Sequence, residues 1–170
     1  MIMKKITRTM LFIATLVAMN ACSADTAEAS LDTTTPTEVL VANYTYNDTE
    51  IETMKLINDY RVSVGLNALE RVNHISYKCE EHNKYMIANN VVDHNDFVAR
   101  STNMTNVLGA KKVGENVAYN YKTPEAAVRA WLDSPGHKEN IVGDYSHFGL
   151  SVTTDSATGK KYYTNIFVKL

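Results

Sequence analysis

Five histidines, His74, His82, His94, His137 and His147, are the side chains of this 170-residue chain best suited to proton or metal chemistry near neutral pH. Two stand in turn-like surroundings: His94 in Val92-Asp93-His94-Asn95-Asp96-Phe97, and His137 in Ser134-Pro135-Gly136-His137-Lys138. Between them Glu115 is flanked as Gly114-Glu115-Asn116 at the start of a strand-like stretch. Two imidazoles and a carboxylate suffice for a catalytic-type zinc site with one open position. Their separations, 21 and 22 residues, form no local metal motif, so spacing alone does not bring the three together. Ser134, three residues before His137, invites a nucleophile reading. Its position before Pro135 instead suits an N-cap whose hydroxyl accepts from a backbone N–H. His147 precedes a strand and is a candidate for the rim of any such cleft. His82 shares an apolar face with Cys79 and Met86 and reads as a core histidine bonded to a backbone carbonyl. His74 reads as a surface or helix-start residue, Trp131 as a core anchor, and Cys79 as an unpaired, buried thiol.

These side chains need a scaffold, and the pattern from residue 49 onward provides one. Thr49-x-x-Glu52 has the form of a capping box, followed by Ile51, Met54, Ile57, Tyr60 and Val64 at helical spacing and by Gly65 as the stop. A second helix is predicted from about Asn73 to Asn89, with Ile75, Cys79, His82 and Met86 on one face. Thr123-Pro124 caps a third helix through Trp131, and Ser134-Pro135 opens a short fourth through Asn140. Strand-like runs are Val113–Tyr121, Phe148–Thr154 and Tyr162–Lys169, the last two joined by a hairpin over Asp155–Lys160. Helices first and strands late indicate an α+β fold with an antiparallel sheet.

The N-terminus differs in kind. Residues 1–22 carry a charge of +3, residues 23–52 carry −7, and the remainder carries +2. Lys4, Lys5 and Arg8 precede an apolar run from Met10 to Met19, which as a helix would rise about 15 Å, half a roughly 30 Å hydrocarbon core. That is a signal segment, not a span. Cys22, directly after Asn20-Ala21, resembles the lipidated cysteine of a lipoprotein signal, although Met19 stands where Leu is usual. Residues 1–21 are then the signal peptide, 22–48 a lipidated, flexible, acidic and Thr-rich tether, and 49–170 the folded domain. Net charge −2, with the +3 confined to the signal segment and only +2 over the folded domain, gives no sign of a nucleic-acid binder, and two cysteines cannot form a disulfide framework.

His94 followed by Arg100, then Gly114-Glu115-Asn116-Val117-Ala118, Ala130-Trp131-Leu132-Asp133-Ser134-Pro135-Gly136-His137-Lys138-Glu139-Asn140-Ile141, His147-Phe148-Gly149-Leu150 and Tyr162–Phe167 form an ordered series. The series resembles a bacterial CAP domain, of the superfamily of cysteine-rich secretory, antigen 5 and pathogenesis-related 1 proteins, over nearly all of 49–170. The resemblance implies an α-β-α sandwich with about three antiparallel strands between helices. It also implies a cleft where His94 and His137 match the family's histidine pair and Glu115 its acid, with Ser134 and His147 beside them. Some members hold a divalent metal on that pair, zinc being the first expectation here, with Glu115 as ligand or as base toward bound water. Without metal, Glu115 can bond both rings. Ser134 stands where eukaryotic members have a second acid, which makes the cleft less acidic, and their disulfides are absent.

The expected protein is a monomeric, exported CAP-domain lipoprotein of the bacterial cell envelope, anchored to the membrane through lipid on Cys22. Free secretion or a periplasmic location is the alternative. Its cleft would bind a divalent metal, or a small apolar or peptide ligand from the envelope. Two other readings remain open: a metal-dependent hydrolase using the same cleft, and a structural or adhesive surface domain.

Overall fold

The computed structural model describes residues 39–170. The expected signal peptide, Cys22 and the first part of the tether lie outside the described residues. The elements run α1 (Asp48–Ser63), β1 (Glu70–Arg71), α2 (Asn73–Asn89), α3 (Phe97–Leu108), β2 (Lys112–Tyr119), α4 (Pro124–Asp133), α5 (Pro135–Ile141), β3 (His147–Thr154) and β4 (Lys161–Lys169). The strands form one sheet in the order β1-β3-β4-β2. β4 is antiparallel to β3 and to β2, while the two-residue β1 adds a fourth strand parallel to β3. Of the helices, α3 is absent from the sequence expectation, and β1 is too short to leave a strand signal.

Alternation along the strands sorts the core into two layers. Tyr163 and Phe167 of β4, with Phe148, Leu150 and Val152 of β3, face Met54 and Ile57 of α1, Val128 and Trp131 of α4 and Ile141 of α5. Ile166 and Val168 of β4 face Ile75 and Cys79 of α2 and Met104 of α3. The sheet therefore lies between helices, an α-β-α sandwich. Helix α2 sits directly on β3 at Gly149, where a Cβ would run into the backbone of Ser76 and Ile75.

Several local expectations are corrected. The capping box of α1 is Asn47 with Glu50, not Thr49 with Glu52: Asn47 Oδ1 accepts from Glu50 N at 3.0 Å, and Glu50 Oε2 accepts from Asn47 N at 2.9 Å. Glu50 is preferred because its other oxygen also accepts from Val152 N at 2.8 Å and Ser151 Oγ at 3.1 Å, tying α1 to β3. Residues 41–47, expected in the tether, are bonded to the domain: Val41 N donates to His74 Nδ1, Asn73 donates to Ala42 O, and the Tyr44 hydroxyl donates to Glu50.

Both outer sheet edges are closed by side chains. On β2, the carbonyls of Glu115 and Val117 accept from Asn140 Nδ2 at 3.1 Å and Trp131 Nε1 at 2.9 Å. On β3, beyond β1, Leu150 N donates to Ser76 Oγ and Val152 N to Glu50. Arg61, only 2% exposed, closes the other end of α5: Nη1 donates to Ile141 O at 2.7 Å and Gly143 O at 3.0 Å, and Nε to Asn67 O at 2.9 Å. A cation on those terminal carbonyls also meets the negative end of the helix dipole.

Candidate functional site

Glu115 is the fixed point of the site. On β2, Gly114 and Asn116 turn toward α5, so Glu115 turns to the α2/α3 side, where its side chain is 1% exposed. A carboxylate so buried needs partners, and it has three donors to its two oxygens. Arg100 of α3 grips it as a fork, Nε to Oε2 at 2.7 Å and Nη2 to Oε1 at 2.7 Å, and His94 Nδ1 donates to Oε1 at 2.8 Å. Burial pushes the Glu115 carboxyl up, but the His94 bond and the Arg100 guanidinium outweigh it and hold it below the usual carboxylate range.

Because a carboxylate only accepts, His94 must carry its proton on Nδ1. Its Nε2 is thereby left as the free nitrogen, on a side chain 48% exposed. The loop that carries His94 is pinned from the same side, since Arg100 Nη1 donates to Asn95 O at 2.7 Å. One arginine on α3 thus sets both the carboxylate and the loop.

His137 arrives on the first turn of α5, seated against β2 by Asn116 Nδ2, which donates to His137 O at 2.9 Å. Burial pushes its pKa down, and the nearby His94 charge pushes it further the same way. Ser134 occupies the N-cap position of α5 without donating to or accepting from a cap N–H; its hydroxyl is bonded to His137 Nδ1 at 2.8 Å. That corrects the capping expectation: the serine orients the imidazole.

The structure thus brings His94, Glu115, Ser134 and His137 to the edge of β2, and adds Arg100. It does not bring in His147, whose ring bonds Ser146 Oγ at 2.8 Å and lies 3.4 Å from Glu70 at the β1 side of the sheet. Glu115 bonds one ring and a guanidinium, not both rings. His74 is a helix-start residue but 1% exposed, held between Val41 N and Asn103 Oδ1, so it is not on the surface. His82 does bond a backbone carbonyl, Asp93 O at 2.9 Å. Trp131 is 1% exposed in the core, and Cys79 is free and buried. Arg100 stands out in the sequence only as part of the ordered series; nothing in its spacing marks it as the partner of Glu115.

A divalent metal, the group the resemblance implies, needs about three protein ligands with free lone pairs in an open site. Here both Glu115 oxygens are taken, and a guanidinium adjoins each. Among the described residues no group of three His, Cys, Asp or Glu side chains is placed to hold an ion. The donor set therefore does not fit a resident metal; only two imidazole nitrogens remain.

The sequence model of the CAP family, described as the cysteine-rich secretory protein family, matches residues 54–168. The uncharacterized protein YkwD of Bacillus subtilis is 32% identical over 145 residues, covering 79% of this chain and 54% of that protein. The chain thus spans about half the length of this relative. Among solved structures, an outer surface protein of Borrelia burgdorferi superposes with TM-score 0.65 at 19% identity, covering 76% of this chain and 98% of that one, a likeness of fold. An extracellular protein containing an SCP domain, from Bacillus anthracis, superposes with TM-score 0.61 at 25% identity, covering 72% of this chain and 40% of that one.

Proposed function

The chain belongs to the CAP family of cysteine-rich secretory proteins, and from that premise we propose that it is an exported envelope protein whose cleft is a binding module. The observation that carries this reading is the His94–Glu115–Arg100 cluster. A loop, a helix and a strand converge to hold one imidazole half-exposed over a neutralised carboxylate, with His137 beside it. Such a cleft presents hydrogen-bonding nitrogens to a ligand without a large net charge, which suits peptide or other neutral polar groups more than ions. Export is supported by the basic and apolar N-terminal run and by the extracellular relative from Bacillus anthracis. Lipid on Cys22 would hold the domain at a membrane; among the described residues no helix is long and apolar enough to cross one. In Cys22→Ala, the protein moves from the membrane to the soluble fraction if this anchor is correct.

Two contacts, one on each imidazole, favour a second reading, a hydrolase. Glu115 fixes the tautomer of His94 as an orienting carboxylate fixes a general base, and Ser134 Oγ lies in hydrogen-bond contact with His137. No step in that reading passes through a metal.

Native mass spectrometry of wild type and of the His94→Ala/His137→Ala variant, each incubated with defined peptide and fatty-acid mixtures, separates the readings. An adduct lost in the variant supports the binding module, and peptide cleavage lost in the variant supports the hydrolase. Neither adduct nor cleavage overturns both and leaves a structural domain. Arg100→Met, which frees Glu115, tests whether the guanidinium is what keeps a metal out. Zinc retention after dialysis should then rise above wild type, and equal retention by both would show that it is not.

A further inference from the structure

A second concavity lies between α2 and α3, behind the His94 cluster. It has a volume of about 220 Å³, and its walls are Lys78, Glu81, His82 and Tyr85 on one side and Asp96, Ala99, Arg100 and Asn103 on the other. Its formal charges cancel, and its cations are already engaged: Lys78 pairs with Glu81 at 2.9 Å, and Arg100 with Glu115. An anion therefore gains little there.

Two buried side chains give the groove a specific hydrogen-bonding character. Val41 N–H must donate, so His74 Nδ1 accepts, His74 Nε2 carries the proton, and Asn103 Oδ1 accepts it at 2.7 Å. That chain of roles fixes the Asn103 amide and turns its Nδ2 away from His74. Asn103 is 3% exposed, and its Nδ2 is the one buried side-chain donor among the described residues that lacks a partner. Leaving it so is unfavourable, because the donor gives up its bonds to water on folding and gains none in return. At the other end, Asp93 O can only accept, so His82 Nε2 carries the proton. Burial pushes the His82 pKa down and keeps the ring neutral, which leaves Nδ1 as an acceptor. The His82 and Tyr85 rings stack at 5.8 Å and 11°, and with Ala99 they supply an apolar wall.

We propose that this groove binds a small neutral N-acyl compound: Asn103 lines the groove with its Nδ2 closed to solvent, so a slight turn of that side chain lets the acyl carbonyl accept from Nδ2, while the ligand's N–H or hydroxyl donates toward His82 Nδ1 and its body lies against Ala99 and Tyr85. A carbonyl is required because the orphan is a donor. A second, donating group is required because the free imidazole nitrogen accepts. The volume equals that of about seven liquid waters, enough for one capped amino acid or for the acylated end of an amino sugar whose ring extends to the open mouth, and not for a longer chain. The shared chemistry is the secondary amide, and amino sugar and peptide are its two sources.

The test is an NMR titration of the ¹⁵N-labelled protein with N-acetylglucosamine and, separately, with N-acetylalanine methylamide, using glucose as the control without an acyl group. The expected result is a saturable shift of the Asn103 side-chain amide and of the Lys78, Ala99 and Arg100 backbone amides with at least one acyl probe. Which probe acts identifies the source. Asn103→Asp keeps the acceptor for His74 but replaces the orphan donor with an acceptor, and should weaken binding at least tenfold. Ala99→Tyr fills the groove from an exposed position on α3, and should do the same if Asn103→Asp does not fold. The proposal is overturned if neither probe gives a saturable shift, if glucose shifts the same resonances equally, or if binding survives in the folded variants. In any of those cases, water alone serves the orphan donor.

Discussion

The two faces of the sheet are built differently. Against α1, α4 and α5 lie Trp131, Tyr163, Phe148, Phe167, Ile57, Leu150 and Ile141, all essentially inaccessible. Against α2 and α3 the apolar cluster is smaller, Ile75, Cys79, Met104, Ala110, Ile166 and Val168, and buried polar groups surround it. Those are His74, His82, Asn83, Asn103 and Glu115, with Thr164 bonded to Asn83 at 2.7 Å. Apolar burial scales with area and is non-directional, whereas a buried polar group is tolerated only in one bonded geometry. The aromatic face, although Glu50 and Arg61 are buried along α1, can therefore supply most of the stability, and the polar face holds side chains in fixed places. The candidate site draws Glu115 and Arg100 from the second face and His137 from the rim of the first.

That contrast is most exposed to test at its two cores. Trp131→Ala should cost about 3–5 kcal/mol, through the cavity and the lost bond to Val117 O. Met104→Ala, also fully buried, removes less area and should cost less, about 2–3 kcal/mol. Urea denaturation of the two variants decides it, and a Met104→Ala loss equal to that of Trp131→Ala would erase the distinction between the faces.

The next effect concerns the ion pair. Glu115→Gln leaves Arg100, whose side chain is 10% exposed, without its carboxylate, and should destabilise by about 3 kcal/mol. Removing both charges in Glu115→Gln/Arg100→Met should recover a large part of that, because a buried pair is costly to break but often neutral to replace. If the double variant is no more stable than Glu115→Gln, the pair is contributing net stability and the polar face is more than a positioning device.

The same contrast explains what could be read from sequence. Helix α2 runs from Asn73 to Asn89 as the periodicity of Ile75, Cys79, His82 and Met86 indicates, and α4 starts at the Thr123-Pro124 signal. The three long strands lie within two residues of their predicted bounds, because β-branched and aromatic runs mark them. Helix α3 was illegible for a physical reason. It buries only Asn103 and Met104, its N-cap Asp96 is left-handed and makes no side-chain capping bond, and Ser, Thr and Asn fill its middle. Periodicity needs apolar residues to repeat, and a helix held by Arg100 and Asn103 has few. For the same reason no spacing argument joined His94, Glu115 and His137. Only the ordered family motifs did so, and they left the roles of Arg100 and Ser134 unread.

Acid should act first on His82, on the polar side, and on His137, at the rim of the aromatic one. Burial depresses His82, and burial with the His94 charge depresses His137, so the folded state favours their neutral forms. The stability they contribute is present above the ordinary histidine value, 6.5, and is lost as pH falls through their lower folded values. Glu115, also depressed, contributes stability above 4.5 that is lost at still lower pH. Thermal melts between pH 7.5 and 5.5 should therefore show Tm falling in wild type and falling less in His82→Gln, which can still donate to Asp93 O. Parallel slopes would remove His82 from the account.

The smallest effect lies in residues 41–47, the segment before α1. Val41 N–H is the donor that fixes the His74 tautomer, and His74 in turn fixes the Asn103 amide. Val41→Pro removes that donor and leaves His74 Nδ1 without its partner, at a cost of about 1 kcal/mol. Its main consequence is on orientation, because an imidazole free to protonate at Nδ1 no longer requires one tautomer. Asn103 can then turn its amide without leaving His74 unpaired. The side-chain amide resonances of Asn103, which should be sharp and single in wild type, are expected to broaden or double in Val41→Pro, while Trp131 indole and aromatic-face methyl signals stay in place. A spectrum in which Asn103 is unchanged would mean that α3 alone fixes the amide. The polar face would then owe its order to helix packing, as the aromatic face does, and not to a relay of hydrogen bonds beginning in the segment before α1.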